Sequence, residues 1–298
     1  MGKYYPFPHS QPDPESVAVS FVNCVGNTVA VAALRISRFQ PCGNGLGWFD
    51  ACAGDFTRGI PKSSPQTEAV NPGKPITQAA SYNEYLDLMH RLMTYRHEPI
   101  HSELMKVRDK YSMLHLDVLI LIYHFAKLCS GAILEIGAFV GGATIAAALG
   151  VRDSGQEKKL IAIEPGGSVK HKRLGTRNIL RDLERNLAKE RVAHMVTLVK
   201  GQSFKPEAMS AVRRALGSDQ VGLLILDADA AKRRDIDCYR GKFAGGCWMV
   251  IDDIYGADAN EKITPSRADV DALVAEGLLE PLGFYGWSTW VGRWRGRD

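Results

Sequence analysis

Two pairs of aspartates stand at the ends of apolar runs. Asp227 and Asp229 close VGLLILDAD, and Asp252 and Asp253 close CWMVIDD. If the two runs are neighbouring strands, the carboxylates gather at one edge of a sheet. Like charges held that close repel and raise each other's proton affinity. A hard divalent cation removes the conflict, because Mg²⁺ and Ca²⁺ prefer oxygen ligands and keep open positions for water or substrate. Such an ion can bind a hydroxyl, lower its pKa and orient it. The plainer reading is that the acids separately cap the following helices. Two pairs on consecutive strand ends favour the shared cation.

A second feature lies upstream. GAILEIGAFVGGAT, residues 131–144, reads as a short buried strand with one acid, Glu135, then a turn carrying Gly137, Gly141 and Gly142, then a helix. A strand feeding a glycine turn feeding a helix is how α/β proteins hold nucleotides. Glycine lets the backbone approach a ligand, and a helix N-terminus offers free N–H groups. The next apolar run, LIAIE, ends in Glu164. That position in a doubly wound sheet accepts hydrogen bonds from a ribose diol. Gln202 and Ser203 follow the third run and could reach a base at the same edge, or Ser203 could cap the next helix.

Other patterns carry less. His97-Glu98-Pro99-Ile100-His101 matches H-E-x-x-H, but Pro99 would break the helix that a zinc site needs. A loop with two histidines is the better reading. Lys170, His171, Lys172, Arg173, Arg177 and Arg181 read as a solvated helix face. Trp287, Trp290 and Trp294 are expected to pack the terminal strands rather than to stack bases.

These residues need elements to hold them. From Ala132 onward short apolar runs alternate with helical stretches, as in a parallel sheet covered on both faces. The strands are expected at 132–136, 160–164, 196–200, 222–227 and 248–252, with helices at 144–149, 178–189 and 206–216. Residues 278–284 and 289–294 read as an antiparallel edge hairpin. Upstream, Ser81 with Glu84 forms a capping-box pattern at the start of a helix through Tyr95. Helices are also expected at 102–110 and 113–128. VAVSFV and VAVAALRI flank Gly26-Asn27, a hairpin signature. The fold class is α/β: a Rossmann-like, doubly wound, mostly parallel seven-stranded sheet with an antiparallel C-terminal edge hairpin. An N-terminal extension (1–80), partly β or irregular, and a helical lid or substrate region (81–130) precede the main domain (131–298).

Bulk properties exclude several classes. The chain has 298 residues, is 45% hydrophobic and 23% charged, and carries a net charge of +4. That balance does not argue for nucleic acid or a membrane surface. No run is long enough to span a bilayer, and the proline-rich first residues lack a signal-peptide core. None of the six cysteines forms C-x-x-C. Cys129 and Cys247 sit in apolar runs as buried thiols, in keeping with a reduced cytoplasm.

Taken in order, LEIGAFVGGAT, IAIEP, VKGQS, LILDADA and GGCWMVIDDIYG resemble the motifs of class I S-adenosylmethionine-dependent methyltransferases. The first two are similar to catechol O-methyltransferase, and the last two to the macrocin-type sugar O-methyltransferases. The resemblance spans about residues 100–294 and is more specific for fold and cofactor than for substrate. It implies that Glu135, Gly137, Ala138 and Gly141 surround the methionine part of S-adenosylmethionine. Glu164 would hold the ribose, and Gln202 and Ser203 would lie beside the adenine. Asp252 and Asp253 would hold Mg²⁺ or another divalent cation, together with Asp227 or Asp229. The catechol-type base, a lysine three positions after the first acid, is absent: Ala230 stands there, and Lys232 comes two residues later. This favours the sugar-type assignment, with Asp229 as ligand and Asp227 as base, near the cofactor.

The function implied is metal-assisted methyl transfer to a hydroxyl of a small molecule, a sugar or natural product, in the cytoplasm, with a homo-oligomer admitted. Tyr82, Tyr85, Tyr95 and His97 are candidate acceptor contacts. The competing readings are a non-catalytic S-adenosylmethionine-binding protein of the same fold and, less favoured, a nicotinamide-dependent dehydrogenase. The G-x-x-x-G-G spacing departs from the dinucleotide pattern, and the acidic pairs have no role there.

Overall fold

The computed structural model of the chain describes residues 18–25, 28–35, 77–256 and 261–296. The proline-rich first residues and most of the expected N-terminal extension lie outside them. By its contacts the chain divides at Val70, and each unit is taken separately. In the first, β1 (Ala18–Val25) and β2 (Thr28–Arg35) pair antiparallel, Val25 opposite Thr28, as the Gly-Asn signature predicts.

The second unit is a three-layer sandwich. Its sheet contains β3 (Ala132–Ile136), β4 (Leu160–Glu164), β5 (Val196–Lys200), β6 (Val221–Leu226), β7 (Phe243–Ile251), β8 (Leu279–Tyr285) and β9 (Thr289–Trp294). The spatial order is β5-β4-β3-β6-β7-β9-β8. The first five run parallel, and β9 pairs antiparallel with β7 and β8. Side chains alternate between the faces of a strand, which splits β3 between two cores. Ile133 packs with α1 (Thr77–Tyr95), α2 (Pro99–Tyr111), α3 (Leu116–Leu128), α4 (Gly142–Ser154) and α5 (Ile179–Lys189). Leu134 and Ile136 pack with α6 (Pro206–Leu216), α7 (Lys232–Tyr239) and α8 (Ile263–Ala275).

Several expectations change. Helix α1 begins at Thr77, so Ser81 lies inside it and is not its cap. Pro99 opens α2 at a position that needs no N–H donor. The two histidines around it do not share a helix: His97 sits in the preceding turn and His101 in the first turn of α2. The helical segment 81–130 shares a core with the sheet. Helix α3 is buried nearly all round, as its apolar sequence predicts. The charged helix α7, whose sequence gives little apolar signal, was not expected, nor was α8. The basic run is a helix face only at Arg181, which is exposed on α5; Lys170 to Arg173 lie in a loop closed by a bridge between Val169 and Thr176, and Arg177 follows it.

One stack ties the layers together. Phe125 of α3 lies on Trp248 of β7, with centroids 4.0 Å apart, and the Arg293 guanidinium of β9 lies 3.6 Å from the Trp248 ring. Arg293 also pairs with Glu84 of α1. Cys129 and Cys247 are buried free thiols, as expected. Among the described residues no helix is long and apolar enough to cross a membrane. Phe125→Ala should cost about 3–5 kcal/mol through the cavity it leaves. Chemical denaturation should show a lower midpoint with an unchanged slope.

Candidate functional site

The parallel ladder continues one residue past its strands. Gly137 N–H donates to Ile163 O (3.0 Å), Asp227 N–H to Ile136 O (3.0 Å) and Asp252 N–H to Leu226 O (3.0 Å). Gly137, Asp227 and Asp252 thus stand in a row across the ends of β3, β6 and β7. This is the carboxyl edge, where open α/β sheets bind ligands.

Beside the row lies a cavity of about 440 Å³, lined among others by Glu135, Gly137, Ala138, Glu164, Gln202 and Asp227. Gly137 has φ +92°. A Cβ there would fall 2.1 Å from Asp227 O, so only glycine lets the turn pass this close to β6. Gly141 caps α4 with φ +100° and packs against Leu183. The next residues, Gly142 and Ala143, are the ones that line the cavity.

Glu135 is buried, and its Oε2 accepts the Thr144 hydroxyl at 2.5 Å. Burial pushes its pKa up to about 8, against the hydrogen bond from Thr144. Glu164 accepts Phe139 N–H on Oε2 (2.7 Å) and Gly166 N–H on Oε1 (2.8 Å). An ionised carboxylate has about four acceptor sites, so two remain for a diol. Burial raises its pKa, and these two bonds oppose the rise.

The GQS turn divides its labour. The Ser203 hydroxyl donates to buried Asp235 (2.7 Å), and Tyr239 donates to Ser203 O (2.6 Å), so this side chain holds the turn to α7. Phe204, which sequence reasoning passed over, lines the cavity with the Arg234 guanidinium 3.8 Å from its ring. Tyr111, Ser112, Met113 and Leu114, between α2 and α3, form the facing wall. Arg173, from the basic loop, fixes this wall by donating to Arg108 O (3.0 Å) and Ser112 O (2.7 Å).

The acids sort differently from the sequence assignment. Ligand oxygens of Asp227, Asp252 and Asp253 all lie within 4.8 Å of one another. Asp229 is not in this group. It accepts Ala231 N–H (3.0 Å) and Arg234 (3.0 Å), which hold it below the usual carboxylate range. Two residues further along the chain, it lies in the turn after β6 rather than at the strand end. Asp252 Oδ1 accepts the hydroxyls of Ser288 (2.8 Å) and Thr289 (2.6 Å). Asp253 adopts φ +62°, a left-handed conformation that aspartate tolerates better than most residues. Lys262 Nζ lies 3.2 Å from its Oδ2. Burial and the Asp252 charge push Asp227 up. Lys232 is fully buried, its Nζ has no hydrogen-bond partner, and burial pulls its pKa down against the attraction of Asp227 and Asp253.

The expected acceptor contacts on α1 do not gather here. Tyr95 is buried, with its hydroxyl 2.9 Å from His124 Nδ1. Tyr85 packs on Tyr285, and His97 is exposed in the turn before α2. The side chain of Tyr82 lies outside the described residues.

A family model described as a methyltransferase domain matches residues 134–254, the stretch from β3 to just past β7. Two solved structures share the fold. The O-methyltransferase TomG of Streptomyces achromogenes is 16% identical, with 70% of this chain and 96% of that one covered and a TM-score of 0.50. A protein of Corynebacterium glutamicum is 12% identical, with 73% and 98% covered and a TM-score of 0.50. No curated protein matches at a significant level.

Gly137→Ala should weaken binding of S-adenosylhomocysteine by more than about tenfold in calorimetric titration, roughly 1.4 kcal/mol or more. Gly241→Ala, where a Cβ meets nothing within 4 Å, should leave binding unchanged.

Proposed function

We propose that this chain, whose residues 134–254 match a family model described as a methyltransferase domain, binds S-adenosylmethionine and transfers its methyl group to a hydroxyl oxygen of a small molecule, assisted by a divalent cation. The observation that carries this reading is the convergence of Asp227, Asp252 and Asp253 beside a cavity floored by Glu135 and edged by Glu164. TomG, which shares the fold, is an O-methyltransferase solved in complex with the cofactor.

The donor set fits a hard cation. Three carboxylates offer oxygen ligands, and Lys232 adds one positive charge beneath them. Asp227, Asp252 and Asp253 would hold such a cation, which would supply a Lewis acid for an acceptor hydroxyl and lower its pKa. Lys262, now near Asp253, supplies charge at the outer side of the same group.

The chain's own residues do the rest. Glu164 takes the ribose hydroxyls on the acceptor sites left by Phe139 and Gly166. Phe204 and Gln202 border the base. Glu135 sets the charge of the cavity floor and favours a cationic sulfonium over a neutral thioether. Asp227 is the member of the acidic group that also lines the cavity. One of its oxygens can face a cation while the other accepts the hydroxyl proton, and its raised proton affinity suits that task. Holding acceptor and methyl donor together at one sheet edge makes the transfer effectively unimolecular. A small-molecule acceptor fits a site of this size, and the cytoplasm fits its buried free thiols.

Asp253→Ala, or chelator treatment of the unaltered chain, should lower methyl transfer to a hydroxyl panel by about 10²-fold or more, with S-adenosylhomocysteine binding retained. Full activity in either case would remove the cation from the mechanism.

The pH response follows from Glu135. Below about pH 8 its carboxyl is protonated in the free protein. A sulfonium favours the ionised form, so binding releases that proton. Affinity for S-adenosylmethionine should therefore rise with pH by up to about tenfold per unit and level off above about pH 8. Neutral S-adenosylhomocysteine should show a shallower slope. Parallel titrations from pH 6 to 9, repeated with Glu135→Gln, read the difference.

A further inference from the structure

The β8–β9 hairpin turns through Gly286, Trp287 and Ser288, with Tyr285 opposite Thr289. Neighbours on two sides fix this turn. At Gly286, with φ +63°, an added Cβ would fall 2.6 Å from the side chain of His115, the residue that caps α3. Trp287 meets the His115 ring edge-on, with centroids 5.2 Å apart. It is exposed, whereas Trp290 and Trp294 are buried, as expected of all three tryptophans. On the other side, Ser288 O accepts the N–H of Ile254, one residue past Asp253, at 2.9 Å. A turn held in this way stands at a defined place beside the acids, and what it presents to them is two hydroxyls.

Ser288 and Thr289 both donate to the same oxygen of Asp252, Oδ1, at 2.8 and 2.6 Å. An ionised carboxylate has about four acceptor sites, two on each oxygen. The sites of Oδ1 are therefore filled, and Oδ2 is the oxygen left for the acidic group. Two bonds also stop the carboxylate from turning about its last torsion, which is otherwise broad. The hairpin does not need these bonds for its own assembly, because β9 has ladders to both β7 and β8. Neither residue lines the cofactor cavity.

Resting on the cation-assisted reading, we infer that Ser288 and Thr289 are positioning residues of the acidic group: they limit Asp252 to one ligand oxygen and set the site against cations that take two. Ca²⁺ gathers about six to eight oxygens and often takes both from one carboxylate, whereas Mg²⁺ demands about six in octahedral array and keeps several waters. An acid that offers one oxygen suits Mg²⁺ and denies Ca²⁺ a ligand. The open positions stay available to water and to the acceptor hydroxyl. Partners of metal ligands orient them, and their loss changes metal affinity by about 10–100-fold.

The test titrates Mg²⁺ and Ca²⁺ calorimetrically into the full chain with S-adenosylhomocysteine present. The unaltered chain should bind Mg²⁺ more tightly than Ca²⁺. Ser288→Ala combined with Thr289→Val, which keeps the side-chain shape without the donor, should lower the ratio of Mg²⁺ to Ca²⁺ affinity by about tenfold. Thr289→Ser should keep the ratio of the unaltered chain, because the donor remains. The S-adenosylhomocysteine affinity should not change in either variant, which also shows that they fold. Should the double variant lose it, Ser288→Ala alone, at a half-buried turn position, carries the test with a shift in the same direction. Hydroxyls that served the fold alone would move the melting temperature and leave the ratio where it was. An unchanged ratio in the variant, or tighter binding of Ca²⁺ than of Mg²⁺ by the unaltered chain, would overturn the inference and leave the cation in the mechanism. Binding of neither ion by the unaltered chain would remove the cation from the proposed function, and this inference with it.

Discussion

The hydrogen bonds that carry the parallel ladder one residue past β3, β6 and β7 govern this molecule's chemistry. They place Gly137, Asp227 and Asp252 side by side. A slip of one residue in β6 would turn Asp227 to the other face of the sheet and break up the acidic group. The register is held by burial. Val221 to Leu226 are buried along the whole strand, so any slip would expose apolar surface on one face or the other.

The same constraint explains why glycine is needed at the turn. The backbone of residue 137 passes so close to Asp227 O that no side chain fits. The cavity and the acidic group are consequently parts of one construction. Its floor is Glu135, a carboxyl inside the core, satisfied by Thr144 from the helix that the glycine turn begins. Removing such a group from water disfavours its charge.

The outer part of the site is assembled by distant segments. The hairpin β8–β9 supplies Ser288 and Thr289 to Asp252, and the α2–α3 connection supplies the wall facing the cofactor turn. Arg173 and Arg293 act as straps, one holding the wall to the basic loop and the other holding α1 to the sheet. A charged residue that looks like solvated surface in the sequence, Arg173, therefore holds a wall of the cavity in place.

How much of this could be read from the sequence follows from the range of the forces involved. The strands β3 to β7, the glycine turn and the acids at the strand ends are written in local pattern: short apolar runs, positive-φ glycines and carboxylates just after them. Helix α7 was not legible, because KRRDIDCY carries little apolar signal and is held by contacts of Ile236 and Tyr239 with a distant core. The choice between Asp227 and Asp229 was also closed to the sequence. Both follow the same strand, and only the ladder bond to Ile136 and the pull of Arg234 tell them apart. Likewise, three tryptophans at similar spacing look alike until the hairpin buries two and leaves Trp287 in the open. The sequence by itself determined the sheet, its carboxyl edge and the kinds of groups gathered there, because neighbouring residues decide strand and turn. Tertiary structure alone decided which of those groups touch, because register and burial depend on separate segments of the chain, such as β3 with β6 and the β8–β9 hairpin with Asp252.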